Sequence, residues 1–271
     1  EGRFGAAGHQ VLIEECLSGP ELSVLAVTDG VDFALLAPAR DHKRAGDGDT
    51  GPNTGGMGAF APVAPGDARL TAAIVARVIE PTLRELRRRG IDYRGVLYAG
   101  LMLTAAGPAV LEYNCRFGDP ETQAVLPLLR GDVLALLQAA AAGRLGAHLA
   151  AAPAPAGGAP PGWPGAGLTD WDRSCVVVVA AAPGYPGAYA RGAPLRLPPP
   201  VPDEAWIVQA GTAERDGDLV TAGGRVLGAV GRGLDLASAR DRAYGLLEEI
   251  AGGPLQYRKD IAAGAAGQGG G

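Results

Sequence analysis

Two oxygen-bearing side chains, two residues apart, carry the first chemical signal in this chain. In residues 110–123, VLEYNCRFGDPETQ, a strand over 110–114 sets Glu112 and Asn114 on one face with their bases roughly 6.5 Å apart. A carboxylate and an amide oxygen are hard ligands. They suit Mg²⁺, which takes few protein ligands and completes its shell with phosphate and water. Arg116 follows as a fixed cation, and Asp119, Pro120 and Glu121 read as N-cap, first helical residue and first-turn acid. An ordinary strand, turn and helix with a polar edge fits the same letters.

A second group of chemically capable residues lies upstream, in residues 39–60, ARDHKRAGDGDTGPNTGGMGAF. Closely spaced glycines, including Gly55 and Gly56, let backbone N–H groups approach a phosphate or carboxylate. Lys43 and Arg44 add positive charge among Asp41, Asp47 and Asn53. No helical or strand period runs through the stretch, so it is expected as a long loop, either a substrate loop or a flexible linker. Glu14, Glu15 and Glu21 sit near a turn, where they either hydrogen-bond a sugar's hydroxyls or are simply solvated.

The elements that must position these groups follow in order. Residues 11–17 and 22–27 read as two strands around the Ser18-Gly19-Pro20-Glu21 turn, and Asp29-Gly30 leads to a third strand at 33–36. Leu70, Ile74, Val78 and Leu86 give residues 67–89 a helical period that Pro81 should kink or divide. Its arginine-rich end complements the helix dipole, and Gly90 stops it. Residues 95–103 and 108–114 form a hairpin that ends on the Glu112/Asn114 pair. Helices are expected at 120–129 and, capped by Asp132, at 133–142. The Glu112/Asn114 pair thus sits on a sheet backed by helices, an α/β or α+β arrangement.

Residues 146–168 are mostly Ala, Pro and Gly and read as a linker or long surface connection between a first domain (1–145) and a small β-rich second one (169–262). A buried strand at 174–182, short strands at 206–210, 219–221 and 225–230, and a helix at 235–250 make up the second unit. A low-complexity tail, 263–271, is expected to be disordered.

Composition narrows the function classes. The chain has 271 residues and a net charge of −5, which argues against a nucleic-acid partner. Cys16, Cys115 and Cys175 are widely separated, without a CxxC pair, which fits a reducing cytoplasm and speaks against a disulfide framework or zinc site. Cys115 alternates away from Glu112 and reads as a packed or inert thiol rather than a nucleophile. No run of eighteen apolar residues marks a membrane span. The first residues show no leader and no initiator Met, so the chain is expected to begin inside a larger protein, an appearance that N-terminal processing would also give.

Several long motifs, in register, resemble one family. RFGDPETQ (116–123), DHKRAGDGDTGPNTGGMGA (41–59), YRGVLYAGLMLT (93–104) and the 210–228 segment with TAGGRVLG are similar to the glycinamide ribonucleotide synthetase, or phosphoribosylamine–glycine ligase, family of the ATP-grasp superfamily. The resemblance runs through residues 11–261 except in the Ala/Pro stretch. It implies the carboxyl-terminal part of an ATP-grasp domain and a β-rich C-terminal domain. The implied reaction is ATP-dependent ligation of glycine to 5-phosphoribosylamine, through a glycyl phosphate, in purine synthesis.

On that resemblance Glu14, Glu15 and Leu17 face adenine, and Glu21 holds the ribose hydroxyls. Glu112 and Asn114 ligate Mg²⁺ or Mn²⁺, and Arg116 faces the transferring phosphate. Asp41, Lys43, Arg44, Asp47, Asn53, Gly55 and Gly56 take the glycine and phosphoribosylamine end. A cytoplasmic enzyme, monomeric when complete, is implied.

Two departures qualify it. The further acidic ligand that many ATP-grasp enzymes carry falls here near Ala99 and Gly100. The family's amino-terminal domain and lysine-bearing ATP-grasp half should precede residue 11, so this polypeptide alone is expected to lack turnover. Other readings are a non-catalytic nucleotide-binding module, an inactive fragment of the same fold, and a related carboxylate–amine ligase with another substrate.

Overall fold

The computed structural model describes residues 5–63, 68–155 and 157–264. The first strands are β1 (Glu21–Thr28), β2 (Phe33–Leu35), β3 (Arg40–Asp41), β4 (Arg44–Gly46), β5 (Thr50–Asn53) and β6 (Gly58–Ala61). A helical rod follows, made of α1 (Ala68–Ile74), a π-helical turn (Val75–Ile79) and α2 (Glu80–Arg88). Next come β7 (Gly95–Thr104), β8 (Gly107–Asn114), α3 (Glu121–Val125), α4 (Val133–Ala141) and α5 (Leu145–Ala150). The last third contains β9 (Ser174–Ala181), β10 (Leu195–Arg196), β11 (Ala205–Gln209), β12 (Thr212–Arg215), β13 (Asp218–Thr221), β14 (Arg225–Gly233), α6 (Leu236–Glu249) and β15 (Ala251–Gly252). No helix among the described residues is long and apolar enough to cross a membrane.

Two antiparallel sheets organise these elements, one ordered β2-β1-β7-β8 and the other β11-β14-β9-β6-β3, joined by a bridge between Ser23 and Ala39. Alternation along the central strands explains why they read as unbroken apolar runs. On β9, Val176, Val178 and Ala180 enter one core with α6 and the helical rod, whereas Cys175 and Val177 enter a second core with Leu128 and Leu136. Both faces are covered, so neither can be polar. The helical rod runs past Pro81 without breaking: the Glu80 N–H reaches the Val75 carbonyl, a one-residue-wider turn just before the residue that cannot donate.

Four expectations need correction. Residues 11–17 form no strand, and Val11, Leu12 and Ile13 are exposed; β1 already has β7 on one edge and β2 with Ala39 on the other, so no ladder is left for them. Residues 39–60 are not a structureless loop: β3 pairs β6, and β4 pairs β5 around a turn in which Gly48 and Asp49 both adopt left-handed φ, +65° and +54°.

Residues 146–168 do not hang free. They carry most of α5, and Trp163 is buried with its indole N–H on the Leu35 carbonyl at 3.1 Å. Pairing of β6 with β9 likewise puts strands from both sides of this stretch into one sheet. Finally, Asp119 makes no capping bond to α3; Glu121 does stand in the first turn of α3, and it is buried there. Asp132 does cap α4, accepting from the Leu134 and Ala135 N–H groups. Of the expected tail, only Ala263 and Gly264 lie within the described residues.

Candidate active site

Register on the first sheet brings the candidate groups onto one face. Ser23 lies opposite Gly100, which lies opposite Glu112, while Tyr98 lies opposite Asn114. Directly opposed residues share a face, so Glu21, Ser23, Tyr98, Glu112 and Asn114 all project the same way. A bulge between Gly100 and Leu101 shifts the ladder before Glu112 but leaves Glu112 and Asn114 in phase.

At the β8 end the groups are open to solvent and linked in a row. The Asn114 amide donates to Glu112 Oε1 at 3.3 Å, and Arg116 donates to Asn114 Oδ1 at 3.2 Å and to the Phe117 carbonyl at 2.8 Å. Glu112 and Asn114 supply two hard oxygens, a donor set that fits a cation content with few protein ligands. The position across the ladder is Gly100, so no third carboxylate joins them, and no cluster of three or more His, Cys, Asp or Glu with metal-site geometry occurs among the described residues. Glu14, Glu15 and Leu17 meet Ala109, Val110 and Leu111 of the same strand around a cavity of about 270 Å³.

At the β1 end the groups are buried. Glu121 is 2% exposed. Its Oε1 accepts from the Tyr98 hydroxyl and, at 3.1 Å, from Ser23 Oγ. Asp41 is beside it, its side chain 5% exposed and its Oδ1 without a hydrogen-bond partner among the described residues. Burial and the Glu121 charge push the Asp41 carboxyl up to about 8, against the pull of Lys43. The phenol of Tyr98 is also raised, by burial and then by Glu121. Lys43 bridges to Glu21 at 2.5 Å and lies 3.8 Å from Asp41; burial alone would lower its pKa, but these acids outweigh it and raise it. Outside this cluster a cavity of about 490 Å³ is lined by Glu21, Arg40, Asp41, Lys43, Arg44 and Asn53, among others.

The remaining residues singled out in the sequence divide between this cavity and its supports. Asp47 accepts from the Lys259 N–H at 2.8 Å and is used in holding the β4–β5 hairpin. Arg44 donates to the Gly51 carbonyl across that hairpin. Gly56, at φ +109°, packs so closely that a Cβ would stand 2.4 Å from Pro120 and 2.8 Å from Asp41 Oδ1. Gly55 gives its carbonyl to Arg225 at 2.7 Å and its N–H to the Tyr185 hydroxyl at 3.1 Å. Cys115 is exposed rather than packed, whereas Cys175 is buried and its thiol is pushed up to about 12 by desolvation.

Sequence reasoning missed Arg225. It donates to the carbonyls of Gly55 and Asp119, lies 3.2 Å from the Asp119 carboxylate, and joins Gln123 and Tyr185 around another cavity of about 480 Å³. Its only sequence signal was its place after the glycines of the TAGGR motif. Tyr98 and Ser23 were read as strand residues with no chemical role, and Glu121 only as a helix-start acid.

Residues 1–122 match the family model described as phosphoribosylglycinamide synthetase, ATP-grasp (A) domain, and residues 175–264 match that described as phosphoribosylglycinamide synthetase, C domain. A phosphoribosylamine–glycine ligase of Leptospira interrogans is 44% identical over 260 residues, which cover 96% of this chain and 57% of that protein. One from Streptomyces coelicolor is 45% identical over 265 residues, covering 96% and 60%. The crystal structure of the ligase from Thermotoga maritima superposes with a TM-score of 0.75 at 38% identity, covering 92% of this chain and 57% of that one. The biotin carboxylase domain of a single-chain bacterial carboxylase, at 18% identity and a TM-score of 0.58, shares the ATP-grasp fold alone, over 94% of this chain and 54% of that one. The chain thus spans a little over half the length of these relatives, and with two of the family's domain models matched in sequence order it belongs to the phosphoribosylglycinamide synthetase family.

Proposed function

We propose that this chain forms part of an ATP-dependent ligase that joins glycine to 5-phosphoribosylamine. The observation that carries the proposal is the shared sheet face, with a solvated oxygen-ligand pair at β8 and a buried acid cluster at β1. Such an arrangement can hold a metal–nucleotide phosphate at one end and a small polar substrate at the other. In the reaction a glycine carboxylate oxygen attacks the γ-phosphorus of ATP and ADP leaves. The amine nitrogen then attacks the glycyl phosphate carbonyl, losing a proton as phosphate departs.

Phosphoryl transfer of this kind asks the protein mainly to position reactants and spread charge. Glu112 and Asn114 would hold Mg²⁺ or Mn²⁺, which would supply charge neutralisation at the phosphates. Arg116 faces the transferred group, and Glu14, Glu15, Leu17 and Glu21 bind the nucleoside. Asp41, Lys43, Arg44 and Asn53 line the substrate cavity. The reading carries with it a monomeric, cytoplasmic enzyme without a nucleic-acid partner, in keeping with a net charge of −5.

The cavity at Glu14, Glu15 and Leu17, about 270 Å³, adjoins a second of about 430 Å³ that shares Glu15, Leu17 and Ala109 with it. The test is ADP formation by this polypeptide alone and by the polypeptide joined to the amino-terminal portion of the Leptospira relative. Joined, it should release ADP only when glycine and phosphoribosylamine are both supplied; alone, it should be inactive. Release of ADP with neither substrate dependence would overturn the ligase reading.

A further inference from the structure

The β4–β5 hairpin furnishes Arg44, Asp49 and Asn53 to the wall of the cavity, and its base continues the β3–β6 pairing through backbone bonds between His42 and Met57, His42 and Gly58, and Lys43 and Thr54. Its tip is held from the far end of the chain. Arg258 is 1% exposed and forks onto Asp260 at 2.7 and 2.6 Å; its remaining arm reaches Asp49 at 2.7 Å and the Arg44 carbonyl at 3.1 Å. The Lys259 N–H meets Asp47, and the Gly48 N–H, turned outward by its left-handed backbone, meets Asp260 at 2.8 Å. Asp47, Gly48 and Asp49 thus all end on residues 258–260.

That segment is itself fixed to α6. Arg240 donates to the carbonyls of Lys259 and Ile261, at 2.6 and 3.0 Å, and the Tyr244 hydroxyl donates to the Arg258 carbonyl at 2.8 Å while accepting from the Ile261 N–H. A continuous line of hydrogen bonds therefore runs from α6 through 258–261 to the hairpin and ends at the cavity. A buried guanidinium is a costly fastener compared with apolar packing, and its use here fits a need for fixed geometry, since a planar fork holds its partners at set directions.

From this line we infer that Arg258 is a positioning residue: the C-terminal segment 258–260 clasps the β4–β5 hairpin and thereby sets the cavity wall against which the substrate binds. The clasp acts through Arg44, Asp49 and Asn53 and touches no reacting atom. What the cavity takes rests on the ligase reading above; the clasp itself does not.

Two measurements separate these. In this chain, Arg258→Lys keeps the charge but loses the fork, and Asp47→Ala removes one surface bond of the clasp without burying anything. Both should speed amide hydrogen exchange in residues 44–53 by about tenfold or more while β9 and β14 stay within about twofold. In the joined enzyme, both should raise KM for glycine or phosphoribosylamine by about tenfold while kcat and the KM for ATP stay within about twofold. Unchanged hairpin exchange would overturn the clasp, as would a loss spread evenly over β9, β14 and the hairpin. A faster-exchanging hairpin with unchanged KM values would leave it a structural fastener and refute the positioning role. Absence of glycine-dependent ADP release in the unmutated joined enzyme would count against the ligase reading alone, with the exchange arm still decisive for the clasp.

Discussion

The two ends of one sheet face differ in how their polar groups are paired. At β8, Glu112, Asn114 and Arg116 are bonded mainly to one another, in or near solvent, at 3.2–3.3 Å. At β1, Ser23, Tyr98, Glu121 and Asp41 are packed away from water, and one carboxylate oxygen has no hydrogen-bond partner among the described residues. Solvated groups can exchange these weak links for a cation at small cost. Buried ones are set by folding and carry its penalty with them. In the proposed reading the first end is thus adaptable and receives a metal–phosphate, whereas the second is preorganised. The same contrast predicts that substitutions at β8 change activity without stability, while those at β1 change stability as well.

The largest effect should come from Glu112→Ala. In the joined enzyme its turnover should drop on the order of a thousandfold through lost metal positioning, with a urea midpoint that matches the unmutated chain. Near-normal turnover at saturating Mg²⁺ would erase the functional half of the comparison.

Glu121→Ala probes the other half. It strips the acceptor from two buried hydroxyls, Ser23 and Tyr98, and should cost about 1 to 3 kcal/mol in urea unfolding. A neutral result would mean that the β1 cluster is not preorganised.

Asp41→Asn sharpens the electrostatic side. Because the folded carboxyl is raised to about 8 from its ordinary 3.8, the folded state holds a proton over that interval which the unfolded chain has released. The group's contribution to stability is therefore full below about pH 4 and is lost as pH rises through about 8. Relative to the unmutated chain, Asp41→Asn should be more stable at pH 8 than at pH 5 by more than about 1 kcal/mol, roughly one pKa unit's worth. Parallel stability–pH curves would show that Asp41 carries no such penalty.

The smallest of the four effects is expected for Tyr98→Phe. It removes one donor to Glu121 and one contact to Ser23 and should cost about 1 kcal/mol with the sheet intact, as read by urea unfolding. A cost as large as that of Glu121→Ala would place the phenol, rather than the carboxylate, at the centre of the cluster.

What could be read beforehand follows the range of the interactions involved. The β7–β8 hairpin and the Glu112/Asn114 pair rest on two-residue alternation and a local turn, so the letters were enough. Asp132 caps α4 from an adjacent residue, and that helix was found where the signal stood, whereas α6 was found by its apolar period and the Asp235 cap was not noticed. Glu121 was misjudged because its partner Ser23 is 98 residues away, and nothing in GDPETQ announces burial.

The β4–β5 hairpin is similar: strands of three and four residues are too short to show a period, and their anchor, Arg258, stands more than 200 residues downstream of Asp49. Trp163 was lost inside an Ala, Pro and Gly background that reads as a connector on composition, although an indole buried against Leu35 makes it part of the core. The motif resemblance supplied roles for Glu14, Glu15 and Arg116 that their spacing alone leaves open.

The central claim is that the β8 end holds the metal and its nucleotide, and Mn²⁺ binding in the presence of ATP tests it directly. Followed by electron paramagnetic resonance in the joined enzyme, the unmutated protein should take up one Mn²⁺ that depends on ATP. Glu112→Ala and Asn114→Ala should each weaken that uptake by about tenfold or more, with the unfolding midpoint unchanged. Equal Mn²⁺ affinity in all three proteins would contradict the account and move the metal away from this strand.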